Sequence, residues 1–383
     1  MQGGMRVAIV GGGLGGTVAA ILLQRAGYDV SVYEQAPSLT RIGAGINLSP
    51  NATCVIRRCG LLAAMSERAL LPASFDQREW DTGAITFVLR YDEFPARYGA
   101  PHVIMHRGDL QVLLNSGMRP GTLTLGKQLV DLRDNGERVE LTFADRSTAE
   151  ADFVIGADGI NSKVREILIG PEAPSYTGHV AHRAIFPTRL VGGLRLDDAA
   201  KWWAEDRYFM NYYLTPARDE LYIVTGVPQP WDGDDFTPKP TDNGELRSAF
   251  EGFHPEVQRM IEACPQASAW PVLYRDPRPL WSEGRIVLLG DACHPMKPHM
   301  GQGAAMAMED AAILVRCLEK ADGDLNAAFR LYEAQRFERT TRVKLQSDRH
   351  EWMRYGSECD WLYGYDAFAV PLAPPHLQPV YSS

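Results

Sequence analysis

The first forty residues place a nearly uninterrupted apolar run directly before a cluster of glycines. The run is Arg6–Val10, and the cluster over residues 11–16 reads GGGLGG. An apolar run of this kind is typical of a parallel strand covered on both faces. A helix pattern rich in Ala and Leu continues to Gly27, a second strand-like run covers residues 28–33, and Glu34 stands at its end. This order of strand, glycine turn, helix, strand and acid predicts a dinucleotide-binding βαβ unit.

Three glycines of this unit have separate tasks. Gly11 lets the backbone turn, Gly13 lets it approach a pyrophosphate, and Gly16 lets the helix pack closely. The helix N-terminus then faces the phosphates, and Glu34 can accept hydrogen bonds from a ribose diol. The fingerprint alone does not distinguish FAD from NAD, so the choice depends on the rest of the chain.

Two later segments repeat the pattern of a strand that ends in a glycine turn. Residues 151–165 (ADFVIGADGINSKVR) run from a buried strand into a helix start that Asn161 or Ser162 can cap. Asp158 lies at the carboxyl edge of that strand, where α/β sheets bind ligands. Residues 285–303 (RIVLLGDACHPMKPHMGQG) end a further strand at a Gly-Asp pair and lead into a helix rich in Ala and Met. Both segments predict ligand-binding loops of one α/β domain.

Charge and cysteine content argue against several kinds of partner. The 383 residues carry 39 Lys and Arg against 48 Asp and Glu, a formal net charge of −9. Because no Lys/Arg-rich block interrupts this acidic balance, we expect no nucleic acid and no membrane as a partner. The six cysteines lack metal-ligand spacing, which predicts free thiols and no metal site. No basic leader and no apolar run of roughly twenty residues is present, so the expected location is the cytoplasm.

Three motifs together resemble those of a known enzyme family. They are the GxGxxG turn, a D-G-x-x-S-x-V-R segment from Asp158 to Arg165, and L-G-D-A-x-H with P-x-x-G-Q-G between Leu289 and Gly303. In order and spacing they are similar to the single-component, FAD-dependent aromatic hydroxylases, the flavoprotein monooxygenases that include 4-hydroxybenzoate and salicylate hydroxylases. The resemblance is closer to the 6-hydroxynicotinate 3-monooxygenase branch, through residues 201–207, 218–220, 224–228 and 294–299.

The resemblance implies FAD as the cofactor. Asp291 would bind the ribityl chain, and Arg107 would lie beside the flavin and the pyrophosphate. The helix that opens near Gly301 and Gly303 would point its N–H groups at the isoalloxazine edge, where a helix N-terminus stabilises the anionic reduced flavin. NADH or NADPH, which has no second fingerprint here, would act as a co-substrate. The candidate cofactor-binding residues are Gly11, Gly13, Gly16, Glu34, Arg107, Asp158, Asp291, Gly301 and Gly303.

The chemistry of the family requires a proton relay, a positioning group and a dry cavity. By resemblance, O2 reacts at the reduced flavin to give a flavin hydroperoxide that attacks an electron-rich ring. His299 lies in the turn before the flavin-facing helix and titrates in the right range, so it is the candidate contact to the ring hydroxyl. His294, which follows the Gly-Asp pair, is expected to be structural.

The substrate contacts are expected on a second, sheet-forming segment. Alternation over residues 206–214 places Tyr208, Met210 and Tyr212 on one face, and the resemblance implies that Tyr212 contacts substrate. Arg183 is a candidate partner for a substrate carboxylate. The candidate catalytic residues are His299 and Tyr212, and the candidate substrate-binding residues are Asn47, Tyr208, Tyr212 and His299.

These features predict an enzyme: an NAD(P)H- and O2-dependent FAD monooxygenase of a small hydroxylated aromatic or pyridine carboxylate. When the attacked carbon bears the carboxyl group, that group would be lost. Asn47 and Tyr208 stand where the 6-hydroxynicotinate branch has His. Since Asn carries no charge, recognition of a carboxylate or ring nitrogen there would differ.

Other functions stay open at this point. The FAD motifs would also serve a salicylate-type hydroxylase, a halogenase, a geranylgeranyl reductase, an epoxidase or a non-catalytic flavin sensor. The sequence contains no Trp-x-Trp-x-Ile-Pro segment of the kind found in tryptophan halogenases. Only turnover separates an enzyme from a sensor.

The expected fold class is α/β, with a discontinuous Rossmann-like FAD-binding domain, a β-sheet substrate domain and C-terminal helices. Residues 1–73, 101–175 and 271–345 are assigned to the FAD-binding domain, 74–100 and 176–270 to the substrate domain, and 346–383 to a C-terminal segment. A helix predicted over residues 325–349 covers either the FAD-binding domain or a dimer surface. The sequence therefore leaves monomer and homodimer open.

Overall fold

The computed structural model describes residues 4–39, 41, 44–233, 235–349 and 353–372. Within these residues the strands form four sheets. In chain order the strands are β1 (Arg6–Val10), β2 (Asp29–Tyr33), β3 (Gly45–Leu48), β4 (Ser74–Glu79), β5 (Ile85–Arg90), β6 (Val103–His106), β7 (Leu123–Thr124), β8 (Leu129–Asp134), β9 (Val139–Phe143), β10 (Thr148–Ala151), β11 (Phe153–Gly156), β12 (Ser175–Pro187), β13 (Ala199–Trp203), β14 (Tyr208–Tyr213), β15 (Glu220–Pro228), β16 (Lys239–Thr241), β17 (Ala267–Tyr274), β18 (Ser282–Glu283) and β19 (Ile286–Leu288).

The helices connect and cover these sheets. In chain order they are α1 (Leu14–Arg25), α2 (Pro50–Arg58), α3 (Leu62–Ser66), α4 (Phe94–Tyr98), α5 (Arg107–Asn115), α6 (Lys163–Ile169), α7 (Asn243–Ala249), α8 (Pro255–Ala263), α9 (Gly303–Lys320), α10 (Leu325–Asp348) and α11 (Asp360–Tyr363). None of the described helices is both long enough and apolar enough to cross a lipid bilayer.

The first sheet brings the three sequence motifs to one edge. Its strand order is β18-β19-β11-β1-β2-β7, and every neighbouring pair is parallel except β18 with β19. Register pairs Val10 with Gly156 on one side and with Tyr33 on the other. Because parallel strands end at the same edge, the loops after β1, β11 and β19 meet there. This α/β arrangement confirms the predicted fold class.

Helices α1 and α9 pack closely beside this sheet. Almost the whole circumference of α1 is buried, as expected of a helix that lies between a sheet and another helix. Gly15 permits the approach, since an added Cβ there would lie 2.8 Å from the Leu289 side chain and 3.0 Å from that of Ala307. Helix α10 packs against α9 and buries Phe329 and Tyr332 in the same core. That position is one of the two that the sequence left open for this helix.

The second large sheet has eight strands in the order β16-β17-β12-β15-β14-β13-β4-β5. Its neighbouring pairs are antiparallel except for β13 with β4. One face packs against α7 and α8 in a separate core that includes Trp202, Phe209 and Ile223. Because side chains alternate along a strand, the neighbouring residues Lys201 and Met210 lie on the opposite face. That opposite face is turned toward the motif loops of the first sheet.

Two smaller sheets complete the described part of the fold. Strands β8, β9 and β10 form an antiparallel sheet of three. Strands β3 and β6 form an antiparallel pair in which Asn47 lies opposite Ile104. The β3–β6 pair carries one of the candidate substrate residues, Asn47, and ends directly before Arg107.

Candidate active site

A cavity of about 420 Å³ lies between the motif edge of the first sheet and the free face of the eight-stranded sheet. Residues far apart in the chain line it. Of the residues singled out in the sequence, those that line it are Gly13, Asn47, Arg107, Arg183, Tyr208, Tyr212, Asp291, His299, Gly301 and Gly303. Predicted cofactor and substrate residues therefore meet in one chamber.

The glycine turn after β1 is shaped by two backbone contacts. Gly11 has a φ of 104°, and an added Cβ there would overlap the Ala157 carbonyl. An added Cβ on Gly16 would overlap the Gly11 carbonyl in turn. Gly13, the residue before α1, has no neighbour where its Cβ would be and makes no side-chain cap. The first N–H groups of α1 are thus open to the cavity, as a pyrophosphate requires.

Four predicted cofactor residues lie outside the cavity lining: Gly11 and Gly16 of the glycine turn, and the two acids Glu34 and Asp158. The Glu34 carboxylate accepts hydrogen bonds from the backbone N–H groups of Gly12 and Ala36, each at 2.8 Å. The Asp158 carboxylate accepts from the backbone N–H groups of Lys163 at 2.7 Å and Val164 at 3.1 Å. Asp158 therefore anchors the start of α6, and the structure does not bring its carboxylate into the chamber.

The structure shows which of the two candidate residues caps helix α6. Ser162 is the N-cap of α6, and its Oγ accepts a hydrogen bond from the Arg165 backbone N–H at 2.9 Å. Asn161, the alternative in the sequence, does not have this role. The D-G-x-x-S-x-V-R motif is thus an interlocked turn, in which Asp158 and Ser162 both satisfy backbone donors at the helix start.

Asp291 and Arg107 both line the cavity and interact electrostatically. Burial raises the pKa of Asp291, whereas the nearby His294 and Arg107 lower it. Burial also lowers the pKa of Arg107, and Asp291 opposes that change. In the described part of the chain no hydrogen-bond donor reaches the Asp291 carboxylate. An acceptor left free in this way fits a ligand with hydroxyl donors, such as the ribityl chain of FAD.

The start of α9 also opens into the cavity. Gly301, with a φ of 66°, ends the short turn Pro298–Met300, and α9 begins at Gly303. The N-cap residue Gln302 does not cap the helix. Its amide instead donates to Ser49 Oγ at 2.9 Å and accepts from Asn51 Nδ2 at 3.0 Å. The open N–H groups and positive end of the α9 dipole suit an anionic ring edge.

A buried ionic network joins α9 to α10, and it was not predicted from the sequence. Glu309 and Asp310 are fully buried on α9 and pair with Arg336 of α10 at 2.7 and 2.6 Å. Burial alone would raise the pKa of Glu309. The charges of Arg339 and Arg336 have the larger combined effect and keep that pKa below its usual value. The sequence signal that could have revealed this network is the pair of charged residues, Glu309 and Asp310, within the Ala- and Met-rich helix pattern.

His294 belongs to this network rather than to the cavity wall. Its Nε2 lies 2.6 Å from Asp310 Oδ2. The same Asp310 oxygen accepts the Gly290 backbone N–H at 3.0 Å. His294 therefore braces the Gly-Asp turn that carries Asp291, a structural position of the kind expected from the sequence.

Tyr208, Met210 and Tyr212 all line the cavity, as the strand alternation predicted. Two glycines make room for the two rings. An added Cβ on Gly226 would overlap the Tyr208 ring, and one on Gly45 would overlap the Tyr212 ring. Burial raises the pKa of both phenols. They stay protonated near neutral pH and act as hydrogen-bonding groups rather than bases.

His299 and Asn47 each contact one of these two tyrosines, and the Asn47 side chain is a hydrogen-bond partner of Tyr212. The half-buried His299 ring meets Tyr208 edge-to-face, with ring centroids 5.6 Å apart. Asn47 Oδ1 lies 3.3 Å from Nε2 of His102, whose ring stacks on Tyr91 at 3.7 Å. Burial lowers the pKa of His102 to about 3, so this imidazole is neutral. His102 was not among the site residues predicted from the sequence.

The cavity lining carries more positive than negative groups. Arg107, Arg183, Lys201 and Lys297 are its cationic side chains, and Asp291 is its carboxylate. The Arg183 guanidinium lies over the Trp270 ring at 4.7 Å. This balance favours an anionic ligand although the chain as a whole is acidic.

Comparisons with known proteins agree with this geometry. The FAD binding domain family matches residues 4–344. The chain is 50% identical to a 6-hydroxynicotinate 3-monooxygenase of Bordetella bronchiseptica and 47% identical to one of Pseudomonas fluorescens, each over 97% of this chain and 98% of the relative. A solved salicylate hydroxylase substrate complex superposes with a TM-score of 0.83 at 26% identity, over 99% of this chain and 100% of its own.

The resemblance inferred from the motifs is thereby confirmed, and so is FAD as the cofactor. The open helix ends, the free Asp291 carboxylate and the glycine turn fit that cofactor on structural grounds. The chain therefore belongs to the FAD binding domain family and is an FAD-dependent aromatic monooxygenase.

Proposed function

We propose that this enzyme uses NADH or NADPH and O2 to hydroxylate a small hydroxylated aromatic or pyridine carboxylate similar to 6-hydroxynicotinate. The observation that carries the proposal is the single cavity shared by Asp291, Gly301, Tyr212 and His299. Identity of 50% to a 6-hydroxynicotinate 3-monooxygenase supports the substrate class. When the attacked carbon bears the carboxyl group, hydroxylation releases that group as carbon dioxide.

The cofactor would be held by the groups already open to the cavity. Asp291 would accept hydrogen bonds from its ribityl chain, and Arg107 would lie beside its pyrophosphate. Glu34, which lies outside the cavity lining, would bind the ribose from the end of β2. When bound, FAD supplies the electron transfer from NAD(P)H and the activation of O2. Asp158 would contribute indirectly, because it holds the turn that contains Ala157 and Gly159 in the cavity wall.

His299 would take the proton of the ring hydroxyl on one of its ring nitrogens. Loss of that proton makes the ring carbons ortho and para to the oxygen electron-rich. The neighbouring phenols of Tyr208 and Tyr212 cannot serve as this base near neutral pH, because burial raises their pKa. Tyr212 would instead donate a hydrogen bond that orients the substrate, and Tyr208 and Asn47 would complete the binding surface.

A turnover assay tests the proposed function. NADH and NADPH oxidation by the FAD-loaded enzyme should be followed with 6-hydroxynicotinate, hydroxypicolinates, salicylate and hydroxybenzoates, with peroxide and hydroxylated product quantified together. We expect at least one acid to accelerate oxidation and to appear as product. Acceleration with peroxide alone for every acid would contradict hydroxylation of this class, as would the absence of any acceleration.

We expect Gly11→Ala to weaken FAD binding. The new Cβ would overlap the Ala157 carbonyl, and a φ of 104° is unfavourable for Ala. Strain of about 1–3 kcal/mol corresponds to a loss of affinity of roughly 5- to 150-fold. Flavin fluorescence titration of the apoprotein measures the effect. Gly244→Ala is the matched control, since its Cβ meets nothing closer than 3.4 Å; equal affinity of the two variants would contradict the expectation.

A further inference from the structure

We propose that Lys201 and Gln77 form the receptor for the carboxylate of the substrate. The inference rests on the proposed function, because it names the group that recognises the acid in the same cavity. It assigns recognition of the carboxylate to the neighbouring strands β13 and β4, rather than to Arg183 of β12. Strand register brings the two side chains together, and both are buried with unmet bonding capacity.

Strand register places these two residues side by side. Lys201 pairs with Gln77 of β4 on one side and with Met210 of β14 on the other. The row continues to Val224 and Arg183. Cross-strand partners share a face, and all five side chains line the cavity. Adjacent strands lie about 4.8 Å apart, so Lys201 and Gln77 are neighbours while Arg183 is three strands away.

The Lys201 ammonium is buried beside aromatic rings. The residue is 3% exposed, and its Nζ lies 3.8 Å from the Trp203 ring centroid and 3.9 Å from that of Tyr208. In the part of the chain that the structure describes, no carboxylate lies within ion-pair distance of it. Ring faces stabilise a cation only in part, and a buried charge is costly without an anion. This cost lowers the pKa of Lys201 to about 7. An anion in the cavity would supply the missing partner.

Gln77 presents a second donor next to this ammonium. It is fully buried, and its Oε1 accepts the Trp203 indole N–H at 2.8 Å. Because an indole nitrogen only donates, this bond fixes which end of the amide is the oxygen. The Nε2 group is then left without a hydrogen-bond partner among the described residues. A buried donor in this state is destabilising until a ligand accepts from it.

A carboxylate matches this pair of donors. Its two oxygens can accept from the ammonium and from the amide N–H together, and its negative charge pairs with the ammonium, which a neutral hydroxyl cannot do. Tyr208 contacts both this receptor and the proposed proton relay, since its ring centroid lies 3.9 Å from Lys201 Nζ and 5.6 Å from the centroid of the His299 ring. The arrangement orients the substrate, with its carboxylate toward β13 and β4 and its hydroxyl toward His299.

Ligand binding to the oxidised, FAD-loaded enzyme tests the receptor without turnover. The change in flavin absorbance gives Kd for 6-hydroxynicotinate, for salicylate and for the uncharged analogue 6-hydroxynicotinamide. We expect Lys201→Met to weaken acid binding about 10- to 100-fold and to change amide binding little. Gln77→Glu should act similarly, since its carboxylate would occupy Lys201. Lys239→Met is the matched control, because Lys239 also lies over an indole ring but is exposed.

A pH series separates charge recognition from packing. The ammonium form of Lys201 predominates below its pKa, so acid affinity should fall as pH rises from about 6 to 9. Lys201→Arg stays charged throughout and should lose this dependence. The other titratable or charged groups of the chamber are Arg107, Arg183, His102, Tyr91, Tyr208, Tyr212, Tyr222, Tyr363, Asp291, Lys297 and His299. Both enzymes contain all of them, so the difference between the two series reports on Lys201.

Several outcomes would overturn the receptor. Acid binding by Lys201→Met at the parental affinity would do so, as would an equal loss for acid and amide. Loss of acid binding in Arg183→Met but not in Lys201→Met would assign the role to Arg183. If the parent enzyme bound neither 6-hydroxynicotinate nor salicylate, the assignment of Lys201 and Gln77 as a receptor for aromatic carboxylates would be wrong. Acid that binds through Lys201 without being hydroxylated would refute the proposed function alone.

Discussion

His299→Ala is expected to retain FAD and to oxidise NADH, but to form hydroxylated product roughly 10²- to 10⁴-fold more slowly, with peroxide in its place. His299 lines the cavity beside the start of α9, and the phenols around it are held protonated by burial. Without the imidazole, no neighbouring group on this side of the chamber takes the proton of the ring hydroxyl. The unactivated ring then reacts too slowly to compete with loss of peroxide.

The ratio of product to NADH consumed measures this coupling directly. Tyr212→Phe gives a useful comparison, because it removes only a hydrogen-bonding hydroxyl and should reduce coupling less. His179→Ala is the control, since His179 does not line the cavity. A His299→Ala enzyme that keeps the parental product yield would show that the relay lies elsewhere. Loss of bound FAD in that variant would instead identify His299 as a structural residue.

Arg336→Met should cost about 3–5 kcal/mol of unfolding free energy. Arg336 is fully buried between α10 and α9, and its guanidinium pairs with Glu309 and Asp310. Arg339 also reaches Glu309, at 2.7 Å, so Asp310 would be the carboxylate that loses its arginine and keeps only His294 and the Gly290 N–H. A buried charge without its partner is strongly destabilising. Chemical denaturation of the FAD-loaded enzyme measures the loss.

Arg330→Met provides the matched control on the same helix. Arg330 is exposed, so its substitution should change stability by no more than about 0.5 kcal/mol. The loss in Arg336→Met should shrink at acidic pH, because a protonated carboxyl no longer needs a cationic partner. If Arg336→Met were as stable as Arg330→Met, the network would contribute nothing to holding α9.

The sequence was sufficient for the features that depend on local order along the chain. The run of strand, glycines, helix and strand over residues 6–33 specifies a βαβ unit because each step has its own backbone requirement. The alternation around Met210 likewise placed Tyr208 and Tyr212 on one face without knowledge of the neighbouring strands. Both patterns are formed by residues that are close together in the sequence. Such local patterns do not depend on how the rest of the chain folds.

Features that depend on distant partners could not be predicted in this way. Lys201 is buried because β13 pairs with β4, a strand that precedes it by more than a hundred residues. In the sequence alone, a lysine beside two tryptophans gives no indication of a cavity. For Asp158, the position after a strand was predictable from the sequence. The direction of its carboxylate, toward the backbone at the start of α6, was not. The network around Arg336 was missed because charges on a helix are usually solvated.

The fit of the Tyr208 ring against Gly226 makes the evolution of this chamber depend on the order of substitutions. A methyl group at residue 226 collides with the ring while Tyr208 is present. Once a shorter side chain replaces that tyrosine, the same methyl group fills the space that the ring has left. The two changes are therefore not additive, as expected for residues in contact. A lineage that reshapes this wall for a larger ring must alter residue 208 before residue 226, whereas a library that varies both residues together does not depend on that order.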